Sequence, residues 1–370
     1  MPFFGELRAL TRVQRNTFSA CFLGWTLDAF DYFLITFCLV TIAADFHVGR
    51  KAVEEAVFLT LAMRPVGAFL FGVAMGGEWG VGAALALETL PARGRGFFSG
   101  LLQEGYATGY LMAALVYGTL FSFVGWRGMF VIGALPAFLV IYIRTKVDES
   151  PAWLEGKAAR DTENRLWKDV RSNVGLFLFV VVLMFAFNSF SHGTQDVYPT
   201  FLQRNLQFTP KTVGLILIVC NCGALLGGIL FGTWSERIGR RRAIVIAALL
   251  AIPVIPLYAY SHSVPMLALG GFLTYFMVQG AWGVIPAHLN ELSPPAVRGT
   301  LPGFAYQVGN LLSSRNSVIQ AKMAESRYGG MFPPVLAWTV LLVASLVALV
   351  TWSGQERRGA DLSSTNSSTS

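Results

Sequence analysis

An all-α protein that crosses a membrane many times is the fold class this sequence predicts, and three observations carry it. Hydrophobic residues make up 54% of the 370 residues and charged residues only 13%. Apolar runs of roughly 20 residues, the length a helix needs to cross a hydrocarbon core, recur from one end to the other. Lys and Arg gather in particular loops, as the positive-inside rule expects. A soluble domain collects its apolar residues into one core and does not repeat such runs. Spanning segments this long suit helices better than barrel strands.

The runs fall at 18–42, 56–90, 97–122, 128–144, 173–198, 212–233, 243–260, 264–289, 300–320 and 331–352. Before them lies a short arm, 1–17, with three arginines; the first run continues as a full span, so no cleavable signal is expected. Residues 18–144 form a first helical half, with a junction near 72–73, and 173–352 a second half of six helices. Between them, the charged segment 145–172 reads as a central cytoplasmic loop. The Ser/Thr-rich tail, 353–370, has little apolar surface to bury and is expected to be disordered. With both termini cytoplasmic, 19 of the 28 Lys and Arg lie on the inner side. The net charge of +7 therefore reports orientation and does not call for a nucleic-acid partner. Cys21, Cys38, Cys220 and Cys222 lie in or beside spans without metal-ligand spacing, so no metal and no cofactor are expected.

The two halves repeat each other. "GEWGVGAALALETLPARGRG" (77–96) aligns with "GAWGVIPAHLNELSPPAVRG" (280–299) at an offset of 203. Trp79 matches Trp282, Glu88 matches Glu291 and Arg95 matches Arg298. A second pair, "GAFLFG" (67–72) and "GGILFG" (227–232), runs at an offset of 160, so the first half is 43 residues shorter between these anchors. What lies between them in the second half, a basic loop, a helix and the start of another, has no counterpart in the first. The 56–90 run would be about 52 Å long as a straight helix, too long for one ordinary span and too short for two. About ten crossings are expected, with this run tilted or kinked.

Polar residues inside spans mark the chemistry. Asn188, Ser191, His192, Gln195 and Asp196 fall within about 140° of one helix face. Arg64, near the middle of its run, offers a planar fork that can hold a carboxylate by two hydrogen bonds. Gln307 and Asn310, one turn apart, can donate neutral hydrogen bonds, or serve as packing glue. For a proton, His192 titrates near neutral pH unaided. Asp28 and Asp31, sharing a face of the first helix, and Asp196 and Glu78 are further candidates. Glu88 and Glu291 stand before inner-side Pro and Arg residues and are expected to clamp loops. Arg315, in a late span, has no assignable partner. No enzymatic constellation stands out, and the glycines occur inside spans as packing residues.

Together these residues resemble the major facilitator superfamily. "GTWSERIGRRR" is similar to its cytoplasmic loop signature, carried here by Glu236, Arg237, Gly239, Arg240 and Arg241, and "DESPAWL" resembles the segment after the sixth helix. "NSFSHGTQDVYPT" (188–200) fits the seventh-helix pattern Asn-x-x-Ser/Thr-His-x-Ser/Thr-Gln-Asp-x-x-x-Thr of lactate/pyruvate:proton symporters, in the sialate:proton symporter family. "GWTLDAFDYFLITF" is similar to that group's first helix. The resemblance implies a two-half helical bundle that takes up a small monocarboxylate with a proton. It implies that Arg64, Asn188, His192, Asp196, Gln307 and Asn310 bear on the substrate, with Gln195 in the same motif. It further implies a monomer in the plasma membrane, or in the inner membrane of a bacterium. Family members carry a second loop signature, a third helix and an Arg early in the fourth, which this chain lacks. Another organic acid such as sialate, or a transport-inactive remnant or sensor, are the alternatives.

Overall fold

The computed structural model describes residues 8–47, 78–134, 171–295 and 297–360, with isolated positions at 138, 141, 145–147 and 362. Among them the regular structure is helical throughout, without a strand. Helix α1 (Arg12–Asp45) opens on a capping box. The Thr11 Oγ1 accepts from the Gln14 N–H at 3.2 Å while the Gln14 Oε1 accepts from the Thr11 N–H at 3.0 Å, satisfying two donors that a helix start leaves over. Helices α2 (Glu78–Thr89), α3 (Arg95–Gln103) and α4 (Gly105–Gly133) follow. The 97–122 run, expected as one crossing, lies within the single apolar stretch Arg95–Gly133, with one turn residue, Glu104, between α3 and α4. The separation expected between 122 and 128 is a kink inside α4, where Gly125 takes a φ of 63° that side chains disfavour.

The C-terminal helices are α5 (Val174–Gln195), α6 (Tyr198–Arg204), α7 (Pro210–Ile238), α8 (Arg240–Ala251), α9 (Ile255–Ala259), α10 (Val264–Leu292), α11 (Leu301–Ser313), α12 (Asn316–Tyr328) and α13 (Pro333–Ser353). Proline sits in the first turn of α6, α7, α9, α10, α11 and α13, where its missing N–H costs nothing. A 3₁₀ turn over Ile252–Val254 joins α8 to α9, because Pro253 and Pro256 cannot supply helical donors there. The 300–320 run is not one helix. It breaks at Ser314 and Arg315, and Arg315 caps α12 from an exposed position.

Six described stretches are long and apolar enough to cross a membrane: Arg95–Gly133, Val174–Arg204, Lys211–Ile238, Arg240–Ala259, Val264–Leu292 and Pro333–Ser353. Their outward faces carry uncovered apolar side chains, such as Phe123 and Leu349, which a lipid surface would cover. The 56–90 run, with the junction near 72–73, lies outside the described residues up to α2. Most of 145–172 lies outside them too. Part of the tail expected to be disordered is packed: Leu362 is buried among Phe18, Leu87 and Phe98, and the Ala360 carbonyl accepts from Arg95 at 2.9 Å.

Helices α1–α4 form one group, with α1 lying along α4, and α5–α13 form a second, built on the α7–α10, α5–α11 and α8–α13 packings. The groups meet where α3 packs on α7 and α10, and α2 on α10 and α11. Glycines make that seam possible. A Cβ on Gly96 would overlap the Gly232 carbonyl, one on Gly100 the Gly228 carbonyl, and one on Gly80 the backbone of Gly303. Main chains touch there, as small residues allow in membrane helix packing.

Candidate functional site

The polar stripe of α5 lies against α11. Asp196 closes α5: its N–H bonds the His192 carbonyl at 3.2 Å, and its carboxylate comes back one turn to the His192 ring. The His192 Nδ1 stands 3.1 Å from Asp196 Oδ2, and Nε2 stands 3.3 Å from Asn310 Oδ1 on α11. One imidazole thus bridges an acid on its own helix to an amide on the next. With the ring charged, both N–H groups donate. With the ring neutral, Nδ1–H still donates to Asp196, and Asn310 can turn its amide to donate to Nε2. The bridge therefore accommodates both protonation states. About a third of the His192 side chain and two fifths of that of Asp196 remain uncovered by protein, so the pair is accessible to a small solute.

The neighbouring polar groups differ in their commitments. Asn188 is buried, and its amide donates to the Met184 carbonyl at 2.9 Å and to the Tyr306 carbonyl at 3.3 Å, bracing α5 against α11. Ser191 donates to the Gln195 Oε1 at 3.4 Å, while the Gln195 Nε2 is buried without a hydrogen-bond partner among the described residues. The same holds for the Gln307 Oε1. Buried amides of this kind have donor and acceptor capacity left for a bound solute.

Asp28 and Asp31 stand apart on α1. The Asp31 Oδ1 is buried, unbonded among the described residues, and close to Gly133 of α4. Glu78 opens α2, and its side chain lies outside the described residues, as does Arg64 altogether.

Composition alone did not single out an aromatic wall between the two groups. Trp79 of α2 lies 4.9 Å from the Tyr306 ring of α11, and Trp282 of α10 lies 6.0 Å from it. Trp25 of α1 completes the set, 6.4 Å from Trp79 and 5.8 Å from Tyr106. Trp79 and Trp282 are the repeat-matched pair, and their shared register was the available signal. The Trp79 Nε1 donates to Gln103 Oε1 at 3.1 Å, whereas the indole N–H groups of Trp25 and Trp282 are buried and unbonded among the described residues. Glu104 was also missed, although an acid within the 97–122 run was visible in the sequence.

Below this wall, the end of the bundle that carries the basic loops is closed. The Arg240 guanidinium grips Glu291 through Nε at 3.0 Å and Nη2 at 3.1 Å, with both side chains almost wholly buried. Arg95 reaches the same Glu291 at 3.4 Å, and Arg298 reaches Glu88 at 3.3 Å. Each repeat-matched Arg therefore pairs with the Glu of the other group. Glu236 accepts from the N–H groups of Gly94 at 2.9 Å and Gly96 at 2.5 Å, capping the start of α3 from α7. Arg241 donates its backbone N–H to Glu356 at 3.0 Å, and Gly239 turns the chain between α7 and α8 with a φ of 100°. No group of three or more potential metal ligands occurs among the described residues.

The family model described as "Sugar (and other) transporter" matches residues 16–176 and again residues 173–351. A carboxylic acid transporter protein homolog of Saccharomyces cerevisiae is 27% identical over 97% of this chain and 71% of its own. The sialic acid transporter NanX of Escherichia coli is 25% identical over 91% of this chain and 93% of its own. Among solved structures, the proton:xylose symporter XylE superposes with a TM-score of 0.72 at 16% identity, over 95% of this chain and 98% of that one. At that identity the likeness speaks for the fold.

Proposed function

This chain belongs to the Sugar (and other) transporter family, and from that premise we propose that it is a proton-coupled symporter of small monocarboxylates such as lactate or pyruvate. The observation that carries the proposal is the His192 bridge between Asp196 and Asn310, partly open to solutes. Its relatives include a carboxylic acid transporter homolog and a sialic acid transporter, which supports an organic acid as cargo.

By the positive-inside rule the basic end faces the cytoplasm, with both termini on that side of the plasma membrane. The closed end is then the cytoplasmic one, and the His192 region is reached from outside. A carboxylate arriving there loses water and needs donors in exchange. A protonated His192 supplies the positive charge, and the unbonded Gln195 Nε2 and the Asn310 amide stand beside it as donors. Gln307 joins them with its amide turned to present Nε2, and Asn188 braces α11 behind them. Arg64 is the further cation proposed for the carboxylate. The proton is shared among His192 and the acids Asp196, Asp28, Asp31 and Glu78. The two helix groups then rock about the site and expose it on the other side. One chain contains both groups, so a monomer suffices.

The test is uptake of labelled lactate by liposomes holding the purified protein. An acidic exterior should drive accumulation, and His192→Ala or Arg64→Ala should abolish it. Uptake indifferent to both the proton gradient and the substitutions sinks the proposal. The aromatic wall favours a second reading, a bulkier or planar organic acid as cargo. Competition by unlabelled sialate and aromatic acids separates the two, and absence of flux with any acid leaves a transport-inactive remnant or sensor.

A further inference from the structure

We propose that Glu104 is a proton-carrying carboxyl of the transport cycle, protonated while α3 is packed on α7 and ionised when the two helices part. The proposal rests on the proton-symport reading and adds to it a residue outside the His192 cluster.

Glu104 occupies the break between α3 and α4, inside the stretch Arg95–Gly133 that is apolar enough to cross a membrane. The residue is 2% exposed, and both carboxyl oxygens are buried with no hydrogen-bond partner among the described residues. Its head lies on the seam between the helix groups. A Cβ at Gly228 of α7 would overlap its Oε1, so the acid rests against bare main chain of the opposite group. The polar groups nearest in sequence are engaged elsewhere. Gln103 accepts from Trp79, and Thr108 Oγ1 bonds the Glu104 main-chain carbonyl at 2.9 Å, leaving the carboxyl alone.

Charged and titratable groups do stand on every element packed around it. They include Asp28, Asp31 and Cys21 on α1, Glu88 on α2, Arg95 on α3, Tyr106 and Tyr110 on α4, Glu236, Arg237 and Cys220 on α7, and Tyr275, His288 and Glu291 on α10. None of them is bonded to the Glu104 carboxyl. Arg95 and Glu291 are paired with each other, Glu88 pairs with Arg298, and Glu236 caps α3.

An ionised carboxylate held without partner or water is so costly that such a group takes up a proton instead. The closed seam therefore requires the acid form. When α3 leaves α7, water reaches the carboxyl, the O–H bond breaks, and the proton passes to the aqueous side while Glu104 remains as carboxylate. Closing the seam again requires a proton to be regained. Glu104 thus ties the protonation state to which end of the bundle is closed, whereas His192 lies where a solute can reach it.

Glu104→Gln keeps shape and removes the titration; Glu104→Asp keeps an acid. In liposomes, the ratio of gradient-driven lactate accumulation to lactate exchange should fall at least tenfold for E104Q and be largely restored in E104D. The infrared carbonyl band of a protonated carboxylic acid should be present in the wild-type protein and diminished in E104Q. An unchanged ratio in E104Q, or an unchanged band, overturns the assignment. Wild-type accumulation that ignores the proton gradient while the band is still lost in E104Q overturns the symport reading, and the transport role of Glu104 with it.

Discussion

His192 and Asn188, one turn apart on α5, show how the same polar stripe divides its labour. The ring of His192 is bonded on both sides yet partly open, while the amide of Asn188 is buried and committed to two carbonyls. Replacing His192 by Ala should abolish proton-driven lactate accumulation and lower residual uptake at least about tenfold, the scale of losing hydrogen bonds to a charged group. Asn188→Ala should act mainly through stability. Losing that bond to the Tyr306 carbonyl, which keeps its helical partner, costs about 0.5–1.5 kcal/mol, visible as a lower unfolding temperature of the purified protein in detergent. Sequence periodicity put both residues on one face but could not separate them, because the separation depends on what α11 presents to each.

Helix ends and helix crossings decide the architecture at the next scale. The capping box at Thr11, the first-turn prolines and the Gly239 turn are local chemistry, and the sequence carries them openly. The crossings depend on register. Glu291 holds Arg240 by two bonds and Arg95 by a third, in a buried setting. Glu291→Gln leaves two buried guanidinium groups short of their counter-charge, which should destabilise the fold by about 3–5 kcal/mol; thermal unfolding checks it. Gly100→Leu should be severe for another reason. Its side chain would meet the Gly228 backbone, so the basic end cannot close. In a chain stripped of its four native cysteines, a cysteine at buried position 99 should then react with a thiol reagent that it resists when Gly100 is kept.

For the whole molecule, the offset of 203 between the two Trp, Glu and Arg sets becomes a physical exchange of partners, Arg95 to Glu291 and Arg298 to Glu88. If the symport reading holds, collapsing the proton gradient with an ionophore should return lactate to simple equilibration in liposomes. The sequence by itself determined the all-α membrane class, the internal repeat and the polar stripe of α5, because hydropathy, period and residue type are local properties of the chain. It did not reveal the break at Arg315, the packing of Leu362 or the isolation of Glu104. Only the tertiary structure decided which polar groups meet, which remain alone and which end of the bundle is shut. Those outcomes depend on helices distant in sequence approaching to backbone contact, and the glycines that permit the approach look ordinary until the partner helix is in place.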